Sequence, residues 1–398
     1  MRVVTEAERR ARMARRHGLA PGHGYDDVAT ATRAMTALHA TEAATVHLAL
    51  HARVDGLTVG DVERALYEER SLVKQLAMRR TLWALPRDLL PAVWGSAAAR
   101  VAAQQRAQLG RDVERAGITE DGPNWVDAAC AAVLAHLADG EARPTSRIRQ
   151  EVPELAGRVS RGTPEKKWGG ESNIGPRVLT LLGAEGRVLR AANDGHWRLN
   201  RPSWTTTASW LGEVPAPTGE GEGYAELVRR WLWTFGPGTE ADLVWWLGAT
   251  KTATRRALSA VGAVPVELDR GETGWLLPDD PLLEGDEPPV EPWAALLPTL
   301  DPTVMGWKER AFYLDPALVP LLVDSNGNVG NTAWWDGRAV GAWAQDDAGV
   351  VRVLPCHELS APARRALQVE AERLTAWLDG VRVVNAYASA QMKGQVLP

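Results

Sequence analysis

Hydrophobic and polar positions along the chain repeat one arrangement: short amphipathic helices, a basic stretch, then two apolar runs joined by a tight turn. The clearest instance is residues 171–202. Ile174, Val178, Leu181 and Leu182 recur at helical spacing, Arg187-Val-Leu-Arg190 follows, and Asn193-Asp-Gly195 turns the chain into His196-Trp-Arg-Leu-Asn200. The first pattern predicts one buried helix face, and runs flanking an Asn-Asp-Gly turn predict a hairpin. Together they outline a winged helix, whose second helix can lie in a DNA groove while the hairpin reaches backbone or an adjacent groove.

Two other stretches keep that order of parts. Residues 57–86 open with Thr58-Val-Gly-Asp-Val-Glu-Arg-Ala-Leu66, a helix starting at Leu57 or Thr58, and close in Met78-Arg-Arg-Thr-Leu-Trp-Ala-Leu85. In residues 224–278, Gly238-Thr-Glu-Ala-Asp-Leu-Val-Trp-Trp246 predicts a capped short helix and Lys251-Thr-Ala-Thr-Arg-Arg-Ala-Leu258 a second. Val264-Pro-Val-Glu-Leu268 and Trp275-Leu-Leu277 then form hairpin strands around Arg270-Gly-Glu-Thr-Gly274.

Residues 5–17 predict a basic helix with Thr5 as N-cap and Glu8 as its capping-box partner. Its arginines either touch phosphate or form a solvated face. Further helices are expected over 26–40, 43–54, 88–116 and 125–138, and linkers at the Pro/Gly-rich stretch 214–223 and the acidic, Pro-rich stretch 278–292. The remainder predicts strands within 331–343 and an amphipathic helix over 361–378. The fold class is α+β: mainly helical tandem winged-helix units with β-hairpin wings, plus a C-terminal β-rich domain ending in a helix. Domains are expected over 1–120, 121–213, 222–280 and 292–398.

A chain of 398 residues with 45% hydrophobic content is long enough for several buried cores. The net charge of −5 argues against nucleic acid until it is divided along the chain. Residues 1–201 carry 30 Lys and Arg against 24 Asp and Glu, whereas 202–398 carry 15 against 26. A basic half permits an electrostatic footprint for phosphate. Arg far outnumbers Lys beside abundant Ala, Gly and Val, as GC-rich coding would also produce, so Arg abundance alone says little. Cys130 and Cys356 lie in no C-x-x-C pair, which gives no zinc site or disulfide framework and fits a reduced compartment. The charged N-terminus and the lack of a long apolar run predict a soluble, cytoplasmic protein with no membrane partner.

Several pieces, in order, resemble the AlkZ-like and YcaQ-like superfamily of winged-helix DNA glycosylases. They are Leu38-His-Ala-Thr-Glu42 with Leu48-Ala-Leu-His-Ala-Arg-Val54, Ala77-Met-Arg-Arg-Thr-Leu82, Phe235-Gly-Pro-Gly-Thr-Glu-Ala-Asp-Leu-Val-Trp-Trp246, Leu300-Asp-Pro-Thr-Val-Met-Gly-Trp307 and Asp336-Gly-Arg-Ala-Val-Gly-Ala-Trp343. The resemblance covers nearly the whole chain. It implies a concave DNA cradle of tandem winged helices closed by a β-rich domain, and hydrolysis of the N-glycosidic bond of alkylated purines in repair or genotoxin self-resistance. It further implies double-stranded, damaged DNA as partner, and a cradle complete in one chain is compatible with a monomer.

One departure matters. Relatives carry Gln-x-Gln or Gln-x-Asp after the second helix, where this chain has His39-Ala40-Thr41. A cationic N-alkylpurine leaves with little acid assistance, so the remaining tasks are positioning a water and stabilising an oxocarbenium-like sugar. His39 can donate or accept a hydrogen bond, Thr41 can hold a water, and Glu42 can act as general base or as an anion facing the sugar cation. An architectural role for the same residues is as simple: Thr41 capping a helix that begins at Glu42, His39 ending the preceding one. With no Lys near the motif, a Schiff-base route is disfavoured.

Expected DNA contacts are Arg79 and Arg80 in the first wing and Arg177, Arg187, Arg190, His196, Trp197 and Arg198 in the second unit. His47 and His51 share a helix face, but without a following Glu or a third ligand they read as core or groove-lining residues; no metal and no cofactor is expected. Cys356-His357-Glu358 is assigned no role. The 18 tryptophans against 2 phenylalanines fill core for the most part, with Trp83 and Trp197 as candidates for DNA contact and one ring of each doublet, Trp245-Trp246 and Trp334-Trp335, facing outward. Besides a repair enzyme, two other classes fit: a DNA-binding or regulatory protein without the chemistry, and a protein-interaction scaffold.

Overall fold

A computed structural model describes residues 1–161 and 170–394. Three winged units follow one another, each with a short strand between its first and second helices that pairs with the last strand of its own hairpin. In the first unit these parts are the helix Val28–Ala34, the strand Leu38–His39, the helix Ala43–His51, a helical stretch from Val59 to Glu68, and the strands Leu72–Leu76 and Leu82–Pro86. The strand Leu38–His39 pairs antiparallel with Leu82–Pro86, which pairs with Leu72–Leu76.

This corrects the sequence expectation at three points. The helix expected over 26–40 stops at Ala34, because Thr36 takes a left-handed conformation (φ 63°) and Leu38 and His39 are drawn into a sheet by Ala84 and Trp83. The unit therefore begins well before residue 57. Met78–Arg80 forms the turn of the hairpin rather than the start of a strand.

The second unit contains the helix Gly122–His136, the strand Arg143–Pro144, the helices Thr145–Glu151 and Gly175–Ala184, and the strands Val188–Asn193 and Pro202–Thr206. A hairpin of Arg158–Arg161 and Gly170–Asn173 is inserted between its second and third helices. Here too the hairpin differs from expectation. His196-Trp-Arg-Leu-Asn200 is the tip loop, and the returning strand is Pro202–Thr206. Asp194 N–H donates to Arg201 O (2.8 Å) and Arg201 N–H to Asn193 Oδ1 (2.8 Å), closing the neck so that the residues between bulge outward.

The third unit follows its expected pattern: helices Glu220–Phe235, Glu240–Leu247 and Lys251–Ala260, and strands Val264–Leu268 and Thr273–Leu276. Thr239 caps the second of these helices in a capping box with Asp242. The expected linker 214–223 ends inside the helix that starts at Glu220. That helix packs closely on Leu90–Gly95, where a Cβ at Gly223 would lie 2.4 Å from Ala92 O.

Residues 294–355 build a four-stranded antiparallel sheet in chain order, Ala294–Leu297, Thr332–Trp335, Arg338–Gln345 and Val351–Pro355. The helix Ala361–Leu378 buries Leu367, Ala371 and Leu374 in one cluster with Leu296, Trp343 and Val351. One apolar core runs through the first and third units into this part, joining Met35 and Trp83 to Trp231, Phe235, Trp307 and Trp334, while the second unit keeps a separate core around Val126, Ile148 and Leu181.

The basic N-terminal helix, Glu6–Arg16, has the expected Thr5–Glu8 capping box. Its arginines face inward. Arg12 pairs with Asp280 and Arg15 with Glu287, Arg9 lies over Phe312 (3.7 Å to the ring centroid), and Arg10 donates to Phe312 O (2.8 Å). The acidic stretch 278–292 is thus the counter-charge for this helix rather than a free linker, and Val3–Val4 joins the third unit's sheet in parallel with Val264–Leu268. Much of the sequence's charge asymmetry is neutralised internally here.

Candidate functional site

His39 ends the first unit's short strand, directly opposite Trp83. Residues opposite one another in an antiparallel pair project to the same face, and the imidazole lies 3.8 Å, centroid to centroid, from the Trp83 indole. Trp83 is itself buried, donates to Met78 O (3.1 Å) and packs on Trp246. It is therefore a floor for His39, not a surface contact.

Arg79, at the turn of the hairpin, donates to His39 Nε2 (3.0 Å). Since a guanidinium only donates, Nε2 is the acceptor and the proton sits on Nδ1. Burial, aided by the charge of Arg79, holds His39 well below the ordinary histidine range, so the ring is neutral. Its Nδ1 is buried with no partner among the described residues, as is Thr41 Oγ1. Buried donors and hydroxyls are rarely left unmatched; two of them lie here two residues apart.

Thr41 is not the helix cap. The N-cap of Ala43–His51 is Glu42, which makes no side-chain capping bond. Instead Glu42 Oε1 accepts from Ala386 N–H (2.6 Å) and Tyr387 N–H (3.2 Å). Burial raises its carboxyl above the usual range against the lowering effect of those two amides. The motif is fixed further by Thr45 Oγ1 donating to Thr299 O (2.9 Å) and by a fully buried ion pair, Arg53 with Asp301 (2.7 Å), at the far end of the same helix.

The first unit's turn meets two other parts of the chain. Arg79 lies over the Trp245 ring (4.0 Å), and Arg310 lies over the same ring (5.3 Å). Trp245 is the partly exposed member of its doublet and Trp246 the buried one, on a helix rather than a strand; Trp334 and Trp335 divide in the same way on a strand. Asp242 accepts from Lys308 N–H and Glu309 N–H (2.8 Å each) as well as from its own capping box, which sets the 307–310 segment beside Trp245. The sequence reading singled out Arg79 and the Trp245 doublet but did not join them to His39, and it missed Arg310.

The other expected DNA contacts are scattered. Arg80 is exposed beside Arg79, and Arg187 and His196 are exposed on the second unit. Arg198 is partly exposed on the tip loop. Arg177 is held by Asp112, and Arg190 lies over Trp204 (4.9 Å) and donates to Asn200 Oδ1 (2.9 Å). Trp197 is not open to a partner: its ring is buried against His47 (4.9 Å) and Trp377 (5.6 Å). His47 and His51 pack on Trp197 and Trp377 respectively, both held near pKa 3 by burial. Among the described residues no three His, Cys, Asp or Glu side chains are grouped to hold a metal ion, and no helix is long and apolar enough to cross a membrane.

Residues 32–377 match the family described as DNA glycosylase AlkZ-like. Among solved structures, the Streptomyces sahachiroi DNA glycosylase AlkZ aligns with a TM-score of 0.73 at 19% identity, covering 94% of this chain and 98% of that one. At that identity the likeness establishes the fold. No curated protein matches the chain.

Proposed function

The chain belongs to the DNA glycosylase AlkZ-like family, and we propose that it hydrolyses the N-glycosidic bond of alkylated purines in double-stranded DNA, using His39, Thr41 and Glu42. The observation that carries this reading is the pair of buried, partnerless groups, His39 Nδ1–H and Thr41 Oγ1, next to a carboxyl raised by burial. An N7- or N3-alkylpurine is already cationic, so the C1′–N9 bond breaks with its electron pair passing to the base, which leaves neutral. The sugar is left electron-poor at C1′. A water held between Thr41 Oγ1 and Glu42 forms the new C1′–O bond and gives its proton to the Glu42 carboxylate. The neutral His39, locked by Arg79 as an Nδ1–H donor, supplies a hydrogen bond to the extruded nucleotide or to that water without adding a charge that would oppose the sugar cation.

Arg80, Arg187, His196 and Arg198 serve as phosphate contacts in this reading, whereas Arg177 is engaged by Asp112 and Arg190 by Trp204 and Asn200. A single chain carrying three winged units suffices as a monomer, working in the cytoplasm.

Single-turnover excision from a duplex containing one N7-alkylguanine, with abasic sites revealed by heat or alkali, tests the proposal. Release by the wild type and its loss in Glu42→Gln and His39→Ala is the expected result. Full excision by His39→Ala, Thr41→Ala and Glu42→Ala would sink the site. No release, together with tight salt-sensitive binding, would leave a DNA-binding protein without the chemistry.

A further inference from the structure

Arg79 and Arg310 share one aromatic ring although they come from opposite ends of the chain. Neither makes an ion pair within 4 Å among the described residues. Arg310 spends its donors on carbonyls, Nε to Trp307 O (3.2 Å) and Nη2 to Gly327 O (3.1 Å). Arg79 spends one on His39 and keeps a buried Nε with no partner. Burial and the like charge of Arg310 lower Arg79 to about 10, and no acidic group among the described residues opposes them. Two guanidiniums thus rest on one ring, each partly buried and without a carboxylate among the described residues, where most other arginines of this protein have one.

The backbone is committed to this placement. Arg79 and Arg80 are consecutive non-glycine residues with φ of 54° and 59°, a left-handed conformation that is strained for residues with a side chain. The turn closes on the end of the Glu240–Leu247 helix, where a Cβ at Gly248 would lie 2.9 Å from Arg79 N. Strain of this kind persists where packing over-determines it, and it clusters at ligand clamps. Here it turns Arg79 inward to Trp245 and His39.

We propose that Arg79 and Arg310, mounted on Trp245, clamp one phosphodiester of the strand whose target nucleotide enters the His39 site. The inference rests on the DNA-acting reading above and adds to it a specific anion and two residues that hold it. A phosphodiester offers two non-bridging oxygens and one negative charge, which matches two guanidinium forks. The same Arg79 that grips the phosphate holds His39 Nε2, so strand register and the imidazole tautomer are set by one side chain. Trp245 is a positioning residue, acting through the two arginines.

The test is a binding scan with a duplex carrying a tetrahydrofuran abasic-site analogue, in which each phosphate flanking the analogue is replaced in turn by a neutral methylphosphonate. The wild type is expected to lose roughly tenfold in affinity at one position, and both Arg79→Gln and Arg310→Gln to become insensitive at that same position, each with a salt slope lower by about one. Profiles unchanged in both variants, or altered at different phosphates, overturn the clamp. Should Arg310→Gln fail to fold once its carbonyl bonds are lost, the Arg79→Gln profile decides: silence at the wild type's sensitive phosphate supports the clamp and an unchanged profile overturns it. The readout needs no excision. A wild type that shows this profile but never releases N7-alkylguanine refutes the glycosylase reading alone, whereas one that excises while the variants keep the wild-type profile refutes the clamp alone.

Discussion

The first and second wings occupy the same place in the same local topology, and each carries arginine beside tryptophan. In the first, a short turn between Leu76 and Leu82 bends inward: Trp83 becomes the floor under His39 and Arg79 its hydrogen-bond donor. In the second, the longer loop between Asn193 and Pro202 reaches away from its own sheet, burying Trp197 between His47 and Trp377 and leaving His196 and Arg198 toward solvent. Wing length decides the difference. A tight turn cannot leave its sheet, so its side chains serve the neighbouring strand; a longer loop can dock elsewhere and present its flanks. One wing is therefore read as part of the reaction site and the other as a grip.

The largest effect expected from breaking this contrast is on stability. Trp83→Ala should cost about 3–5 kcal/mol in urea unfolding, as for a large core aromatic. Trp197→Ala should cost less, about 1–3 kcal/mol, because its loop can undock without opening the core. Equal losses would mean that the second wing is as integral as the first.

In catalysis, His39→Ala should slow single-turnover excision roughly a hundredfold or more while duplex affinity stays within about twofold. Arg198→Ala should leave saturated excision near wild type. Parallel losses of rate in the two variants would erase the division of labour.

The pH dependence sharpens it further. With Glu42 held above its ordinary 4.5, the proposed role of Glu42 as base requires excision to rise with pH through that raised value, and Glu42→Gln to flatten this limb. His47 and His51 are held near pKa 3, below the unfolded value of about 6.5. The stability they confer as neutral rings is full above about pH 6.5 and is lost as pH falls toward their folded values. Melting temperature should therefore drop on acidification, less steeply in His47→Gln. The smallest effect expected is in binding: Arg80→Ala or Arg198→Ala should weaken duplex affinity a few-fold and lower the salt slope by about one.

What the sequence disclosed was whatever local chemistry determines. The capping box at Thr5, the helix start at Thr58, the capped helix after Gly238, the hairpin around Arg270-Gly-Glu-Thr-Gly274 and the terminal helix Ala361–Leu378 are short-range patterns, and they lie where expected. The strand Leu38–His39 could not be seen that way. It is two residues long and exists because a hairpin forty residues onward offers it an edge. For the same reason the motif itself was visible in the sequence, while the partners that give it meaning were not: Arg79 for His39, the Ala386 and Tyr387 amides for Glu42, and Arg310 for Trp245 are all joined only by tertiary packing. The second wing failed for a related reason, since alternation predicts a strand but cannot say that Trp197 will find its burial on a different element.

The inward-facing arginines of the Glu6–Arg16 helix bear on how the chain comes into being. Arg12 and Arg15 find their carboxylates at Asp280 and Glu287, and Val3–Val4 finds its sheet at Glu267 and Leu268. On the ribosome these residues emerge well before their partners are synthesised, although domains otherwise tend to fold in order of emergence. The Glu6–Arg16 helix cannot pair its cationic face until residues 280–287 have followed it, so its docking belongs with the completion of the third winged unit.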